Sequence, residues 1–112
     1  MPKVFLSGPI TGVDHYEAPF NAAQALAESQ GHEAFNPATL PPGHDWTWYM
    51  RQCVEELAKC DHIWMLPGWM ASRGSPLEHR IAGWLSIKPR YLKPEEVGVE
   101  LDVGNKSGSK AR

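Results

Sequence analysis

Leu66-Pro67-Gly68-Trp69-Met70-Ala71-Ser72-Arg73-Gly74-Ser75-Pro76-Leu77-Glu78-His79-Arg80-Ile81-Ala82 begins as the end of an apolar strand, crosses a Gly/Ser/Pro loop and enters an amphipathic helix. At such a junction the backbone N–H groups are free and the helix dipole is positive, so an anion is welcome there. One carboxylate, Glu78, falls in the first helical turn, and it has two readings. Ser75-Pro76-Leu77-Glu78 matches an S-x-x-E capping box with Pro76 at the first helical position, in which the carboxylate only satisfies the amide of Ser75. Alternatively, a carboxylate beside two serines, an arginine and an aromatic is placed to attack a substrate carbon. The loop by itself does not decide between them.

Working outward, His62-Ile63-Trp64-Met65-Leu66 is a buried strand introduced by Asp61, and the helix after it runs from Pro76 to about Leu85 with Leu77, Ile81 and Leu85 facing inward. Upstream, Lys3-Val4-Phe5-Leu6 reads as a first strand running into the Ser7-Gly8-Pro9 loop, which continues through Asp14. Phe20, Ala23 and Ala27 recur at helical spacing between Glu17 and Gln30, with Gly31 as the stop. Glu33-Ala34-Phe35 is a short strand ending at Asn36-Pro37. Strand, helix and strand in this order imply a right-handed parallel crossover. After a Pro/Gly loop, Asp45 caps a helix with Trp46, Tyr49, Cys53, Leu57 and Cys60 along one face. Pro89-Arg90-Tyr91-Leu92 is a further strand, and the alternation of Val97, Val99, Leu101 and Val103 suggests an edge strand. The domain is expected to span 1–103, and the polar tail 104–112 is expected to be disordered.

Composition narrows the function. A net charge of -2 gives no polyanion-binding signature, so no nucleic acid polymer is expected as a partner. No apolar run approaches the roughly 20 residues of a membrane span, and the two cysteines, Cys53 and Cys60, suit a reducing cytoplasm. His15, His32, His44, His62 and His79 are scattered, with no H-E-x-x-H or C-x-x-C, so no metal is expected; no G-x-G-x-x-G follows the first strand, so a dinucleotide is not expected either.

Taken in order, Val4-Phe5-Leu6-Ser7-Gly8-Pro9-Ile10-Thr11-Gly12, Asn36-Pro37, Cys60-Asp61, Leu66-Pro67-Gly68-Trp69 and Ser72-Arg73-Gly74-Ser75 leading to Glu78 resemble the nucleoside 2-deoxyribosyltransferase-like superfamily, over residues 3 to 92. The similarity is greatest to its small phage and bacterial branch and to the 2′-deoxynucleoside 5′-phosphate N-hydrolases. The resemblance implies a small Rossmann-like, flavodoxin-like α/β three-layer sandwich with a mainly parallel sheet of four or five strands. It implies a reaction at C1′ of a deoxynucleoside or its 5′-monophosphate without a cofactor, with Glu78 as the nucleophile that forms a glycosyl-enzyme ester. Water then hydrolyses the ester, or a second base captures it. The position six before the nucleophile is an aspartate in members acting on free nucleosides and a phosphate-binding serine in the monophosphate N-hydrolases; here it is Ser72. A hydroxyl beside Arg73, Gly74 and the free amides near Ser75 accepts phosphate, so a 5′-monophosphate is expected. The loop Ser7, Gly8, Pro9 and Ile10 is expected to form the opposite wall, Asn36 to reach the substrate, and Trp69 to cover the sugar or stack on the base.

Two positions depart from the family pattern. An aspartate that usually assists at the sugar or base is matched by Cys53, and a first-strand tyrosine by Phe5. Either another acid serves, with Asp61, Asp45 and Asp14 as candidates, or the domain is a non-catalytic nucleotide- or protein-binding module on the same fold. Asp61 has a local alternative, as a strand-start residue satisfying nearby amides. A different N-riboside as substrate also stays open. Family members commonly assemble as dimers or larger, so a homo-oligomer is expected.

Overall fold

The structure is a computed structural model and describes residues 2–99. Its elements run β1 (Lys3–Ser7), α1 (Glu17–Ser29), β2 (Glu33–Phe35), α2 (Trp46–Leu57), β3 (His62–Met65), α3 (Ser75–Trp84) and β4 (Lys88–Tyr91), with short 3-10 turns at Pro37–Thr39, Trp69–Ala71 and Pro94–Glu96. The four strands form one parallel sheet in the order β2-β1-β3-β4. This is a Rossmann-like, flavodoxin-like α/β fold.

Strand alternation assigns the two faces. Val4, Leu6, Trp64 and Leu66 point to one side and pack against Phe20, Ala23 and Ala27 of α1. Phe5, Ile63 and Met65 point to the other and meet Cys53 and Leu57 of α2 and Ala82 of α3. Right-handed crossovers require this split, because the chain steps from β1 to β2 in one direction and from β2 across to β3 and β4 in the other. Strand order therefore reverses at β1 and β3. Ligands in open α/β sheets bind beyond the carboxyl ends of the strands at such a switch point.

Helix ends follow local chemistry. Asp45 Oδ1 accepts the Trp48 N–H at 2.9 Å, capping α2. Helix α1 closes with Gly31 at φ +82°, the Gly31 N–H on Glu28 O and the His32 N–H on Ala27 O, which is the paired-bond stop expected of a glycine there. The same pair of bonds closes α3, from Ser86 N–H to Gly83 O and from Ile87 N–H to Ala82 O. There the left-handed position, φ +60°, is held by Ser86.

Two expectations are corrected. Of the inward face expected for helix α3, Ile81 is half-buried against the core, but Leu77 and Leu85 are exposed; Ser75, Glu78 and Ala82 face the protein instead. Small residues bring the helix close to the sheet, and Glu78 is tolerated inside because it finds hydrogen-bond donors there. Nor does a fifth strand start at Val97. The Val97 and Val99 N–H groups both reach back to Pro94 O, with Gly98 at φ +72°, so the chain turns instead of extending. Leu101, Val103 and the tail 104–112 lie outside the described residues.

Candidate active site

Ser7 is the last residue of β1 and points to the α2/α3 side, where α3 starts. Its Oγ donates to Glu78 Oε1 at 2.6 Å, between residues that are both buried. A hydroxyl has one proton, so the 2.9 Å contact between the Ser7 and Ser75 hydroxyls is completed by the proton of Ser75. The capping-box reading of Glu78 does not hold. Gly74 is the N-cap, which places Ser75 at the first helical position and Glu78 at the fourth, one residue past the capping position. The Glu78 N–H makes an ordinary helical bond to Gly74 O, and the Ser75 N–H is met by Ser72 Oγ at 3.4 Å. The side chain is thus turned inward, to Ser7 and the Cys53 thiol.

Burial pushes the Glu78 carboxyl up to about 7, against the pull of hydrogen bonds from Ser7 and Cys53. Burial, followed by the facing charge of Glu78, pushes the Cys53 thiol up to about 12. The carboxylate is therefore the group that ionises, and the thiol remains a donor to it.

Glu78 opens on a cavity of about 380 Å³ beyond the carboxyl ends of β1 and β3. Gly8, Ile10, Thr11 and Tyr16 form one wall, and Ser72, Arg73, Gly74 and Ser75 another. A third wall comes from the β2–α2 connection and the first turns of α2, including Leu40, His44, Trp46, Tyr49 and Met50, with Cys53 at its base. The Arg73 guanidinium lies 3.9 Å over the Trp46 ring, and no ion pair among the described residues engages it. Its charge is oriented by the indole and left for a ligand. At Gly74 a Cβ would lie 2.9 Å from Met50 Sδ, so a side chain there would displace the Met50 thioether from this wall. At Gly8 a Cβ would lie 2.8 Å from Leu66 Cβ, so only glycine lets the β1 loop close onto the end of β3.

Of the residues expected at the site, the structure brings together Gly8, Ile10, Ser72, Arg73, Gly74, Ser75 and Glu78 on the cavity, with Ser7 bonded to Glu78. Pro9 instead backs the site, against Gly68. Asn36 does not reach it. Its Oδ1 caps the Pro37 turn through the Ala38 N–H, and its Nδ2 donates to Asn21 and Gln24 of α1. Trp69 stands outside the cavity, stacked on His79 at 4.6 Å and next to Tyr91. Phe5 is fully buried and stacks on Phe35.

The candidate acids are elsewhere too. Asp61 accepts the Lys3 backbone N–H, Asp45 caps α2, and neither they nor Asp14 line the cavity. Among the described residues, Glu78 is the only carboxylate on its wall. Among the described residues no three His, Cys, Asp or Glu side chains converge as a metal-binding group, and no helix is long and apolar enough to cross a membrane.

Sequence reasoning missed the third wall. Trp46, Tyr49, Met50 and Cys53 recur at helical spacing, which marked an inward face but not that its first turns project past the sheet. That α2 and α3 both start at the carboxyl edge, as parallel crossovers demand, is the signal that could have found it.

The family described as "domain of unknown function (DUF4406)" matches residues 2–90. No curated protein matches the chain. A solved structure of a 2-deoxyribosyltransferase from the psychrotolerant bacterium Bacillus psychrosaccharolyticus, described as a biocatalyst for the synthesis of nucleosides, superposes with a TM-score of 0.64 at 20% sequence identity. The match covers 82% of this chain and 72% of that one, and it establishes a shared fold.

Proposed function

The chain belongs to the DUF4406 family, and on that premise we propose that it cleaves or transfers the N-glycosidic bond of a 2′-deoxynucleoside 5′-monophosphate, with Glu78 as nucleophile. The observation that carries this reading is the buried Glu78 carboxylate, released from capping its own helix and held by Ser7 at the floor of a nucleotide-sized cavity. The fold shared with a 2-deoxyribosyltransferase supports it.

In the proposed reaction a Glu78 oxygen attacks C1′ as the bond to the base breaks. Charge builds on the sugar as an oxocarbenium-like centre, and the resulting ester is opened by water or by a second base. Ser7 holds the attacking oxygen's partner atom still, which fixes the line of attack. The 5′-phosphate is assigned to the start of α3, where Ser72, Arg73 and the positive end of the helix dipole combine hydroxyl and charge. Because burial raises the Glu78 carboxyl to about 7, the nucleophile is the deprotonated form and activity rises as pH passes through neutrality.

The test is free-base release from the four deoxynucleoside 5′-monophosphates and the matching nucleosides, by wild type and Glu78→Ala. Release from a monophosphate that vanishes in the variant is the expected result. Arg73→Met should then raise KM for the monophosphate more than for the nucleoside. A second reading, a nucleotide-binding module without turnover, is favoured by one observation: a thiol, Cys53, and no second carboxylate lines the cavity beside Glu78 among the described residues, where the resemblance implies an aspartate. Nucleotide binding with no base release from any substrate would establish it. We further propose that the domain is a homo-oligomer, because Trp84 and Met70 are each 76% exposed. A single 12.5 kDa species at micromolar concentration in sedimentation would contradict this.

A further inference from the structure

We propose that His44 is the proton donor to the departing base; this rests on the glycosidic reading above. The inference starts from a shortage. A purine or pyrimidine leaves C1′ readily only if one of its nitrogens takes up a proton as the bond breaks, and the cavity offers no second carboxylate among the described residues. The proton carriers on its walls, besides Glu78, are Tyr16, His44, Tyr49, Cys53 and Arg73. Arginine does not give up its proton, and Cys53 is held protonated up to about 12. The Tyr49 hydroxyl already donates to Pro41 O at 2.6 Å. Of the two that remain, the imidazole of His44 is the side chain that general acid–base catalysis most often uses.

His44 is also placed for the task. It lies on the β2–α2 wall, whereas Glu78 opens from α3, so a sugar between them would present C1′ to one and the base to the other. Its ring is stacked on Trp48, with centroids 3.6 Å apart and planes within 11°. The Tyr49 hydroxyl accepts from its backbone N–H at 3.5 Å. The ring plane is thus fixed while no bond within the described residues uses its nitrogens. The charged and titratable groups around it are Asp45, Tyr49 and Cys53 on its own side, Tyr16 from the β1 loop, and Arg73 and Glu78 on the remaining wall.

The step balances. Glu78 forms the bond to C1′, the electron pair of the C1′–N bond passes to the base, and the imidazolium N–H proton goes to that base. The imidazole left behind takes a proton from the water that opens the ester, which returns Glu78 as carboxylate and His44 as imidazolium. A second base in place of water would give up its N–H proton in the same way.

The test compares His44→Gln with wild type on two kinds of substrate. On the best natural monophosphate the variant should lose about 10²- to 10⁴-fold in kcat/KM, the span of general acid catalysis. On N7-methyl-2′-deoxyguanosine 5′-monophosphate, whose base departs neutral without a proton, the loss should be less than tenfold. His44→Phe, which keeps the stack on Trp48 and has no proton to give, should behave as His44→Gln does. Equal losses on both substrates, or a loss below about threefold on the natural one, would overturn the assignment. If wild type releases base from neither substrate, the glycosidic reading itself falls and takes this inference with it.

Discussion

Replacing Glu78 by Gln should stabilise the protein, by an amount that depends on pH. In the unfolded chain this carboxyl loses its proton near 4.5, whereas burial in the folded protein raises it to about 7. Between those values the folded state binds a proton that the unfolded state has lost, so stability falls as pH rises through the window. Below it both states are protonated and the group contributes nothing. Above it the full difference applies, about 3 kcal/mol at roughly 1.4 kcal/mol for each pH unit of separation. Gln is nearly isosteric, still accepts from Ser7 Oγ, and cannot ionise. Urea unfolding of both proteins at about pH 4, 6 and 8 reads the effect. The stability of E78Q minus that of wild type should grow by about 3 kcal/mol from the acid to the alkaline end. Taking the difference cancels other carboxylates, notably Glu56 and Glu96, which are lowered by Lys3 and by the Lys93 N–H with Arg90, and whose stabilisation is lost as pH falls. A difference constant within about 1 kcal/mol across that range would refute the argument that the folded protein buries this charge at a cost.

The remaining expectations concern its neighbours and the frame. Ser7→Ala removes a donor to the ionised carboxylate, so the Glu78 titration should move above about 7 and stability near pH 8 should fall by about 1.5–3 kcal/mol; an unmoved titration would argue against the bond. Gly8→Ala sets a Cβ 2.8 Å from Leu66 Cβ, too close to the backbone to yield, and should cost about 1–3 kcal/mol in denaturant unfolding. Ser86→Gly relieves a non-glycine residue at φ +60° and should raise stability by about 1 kcal/mol, a gain of several degrees in Tm. Cys53 and Cys60, pushed up to about 12 and about 11 by burial, should resist a thiol reagent at neutral pH until the protein is unfolded; fast labelling of the native chain would contradict their placement.

The parts of the fold legible in the sequence are those that local chemistry determines. Apolar runs gave the strands, Asp45 and Gly31 bounded helices, and Ser7-Gly8-Pro9 ended the first strand where the cavity begins. Errors arose where a local pattern had two outcomes separated by one residue. Ser75-Pro76-Leu77-Glu78 satisfies the capping template, yet with Gly74 as N-cap the glutamate stands one step further round the helix and faces inward. The same rotation carries Leu77 and Leu85 to the outside, so a stripe that looked like core is surface. Asn36 and Trp69 show a related failing. Both are suited to a nucleotide by type, but Asn36 is occupied in tying the end of β2 to α1, and Trp69 packs on His79.

What the sequence did not express is the meeting of Ser7, Cys53 and Glu78, which come from β1, α2 and α3, with Ser7 and Glu78 71 residues apart. Their convergence is a property of topology. With α1 on one face and α2 and α3 on the other, the strand order reverses between β1 and β3, and the cavity opens at the carboxyl edge there. Both helices on the second face begin there, so the walls of the cavity are set by the crossovers before any side chain is chosen. A carboxylate buried at that point would be a defect in a domain with no use for it, since a neutral residue of the same shape removes the penalty. Its presence, with a serine and a thiol positioned to donate to it, is the physical reason for proposing Glu78 as the reacting group.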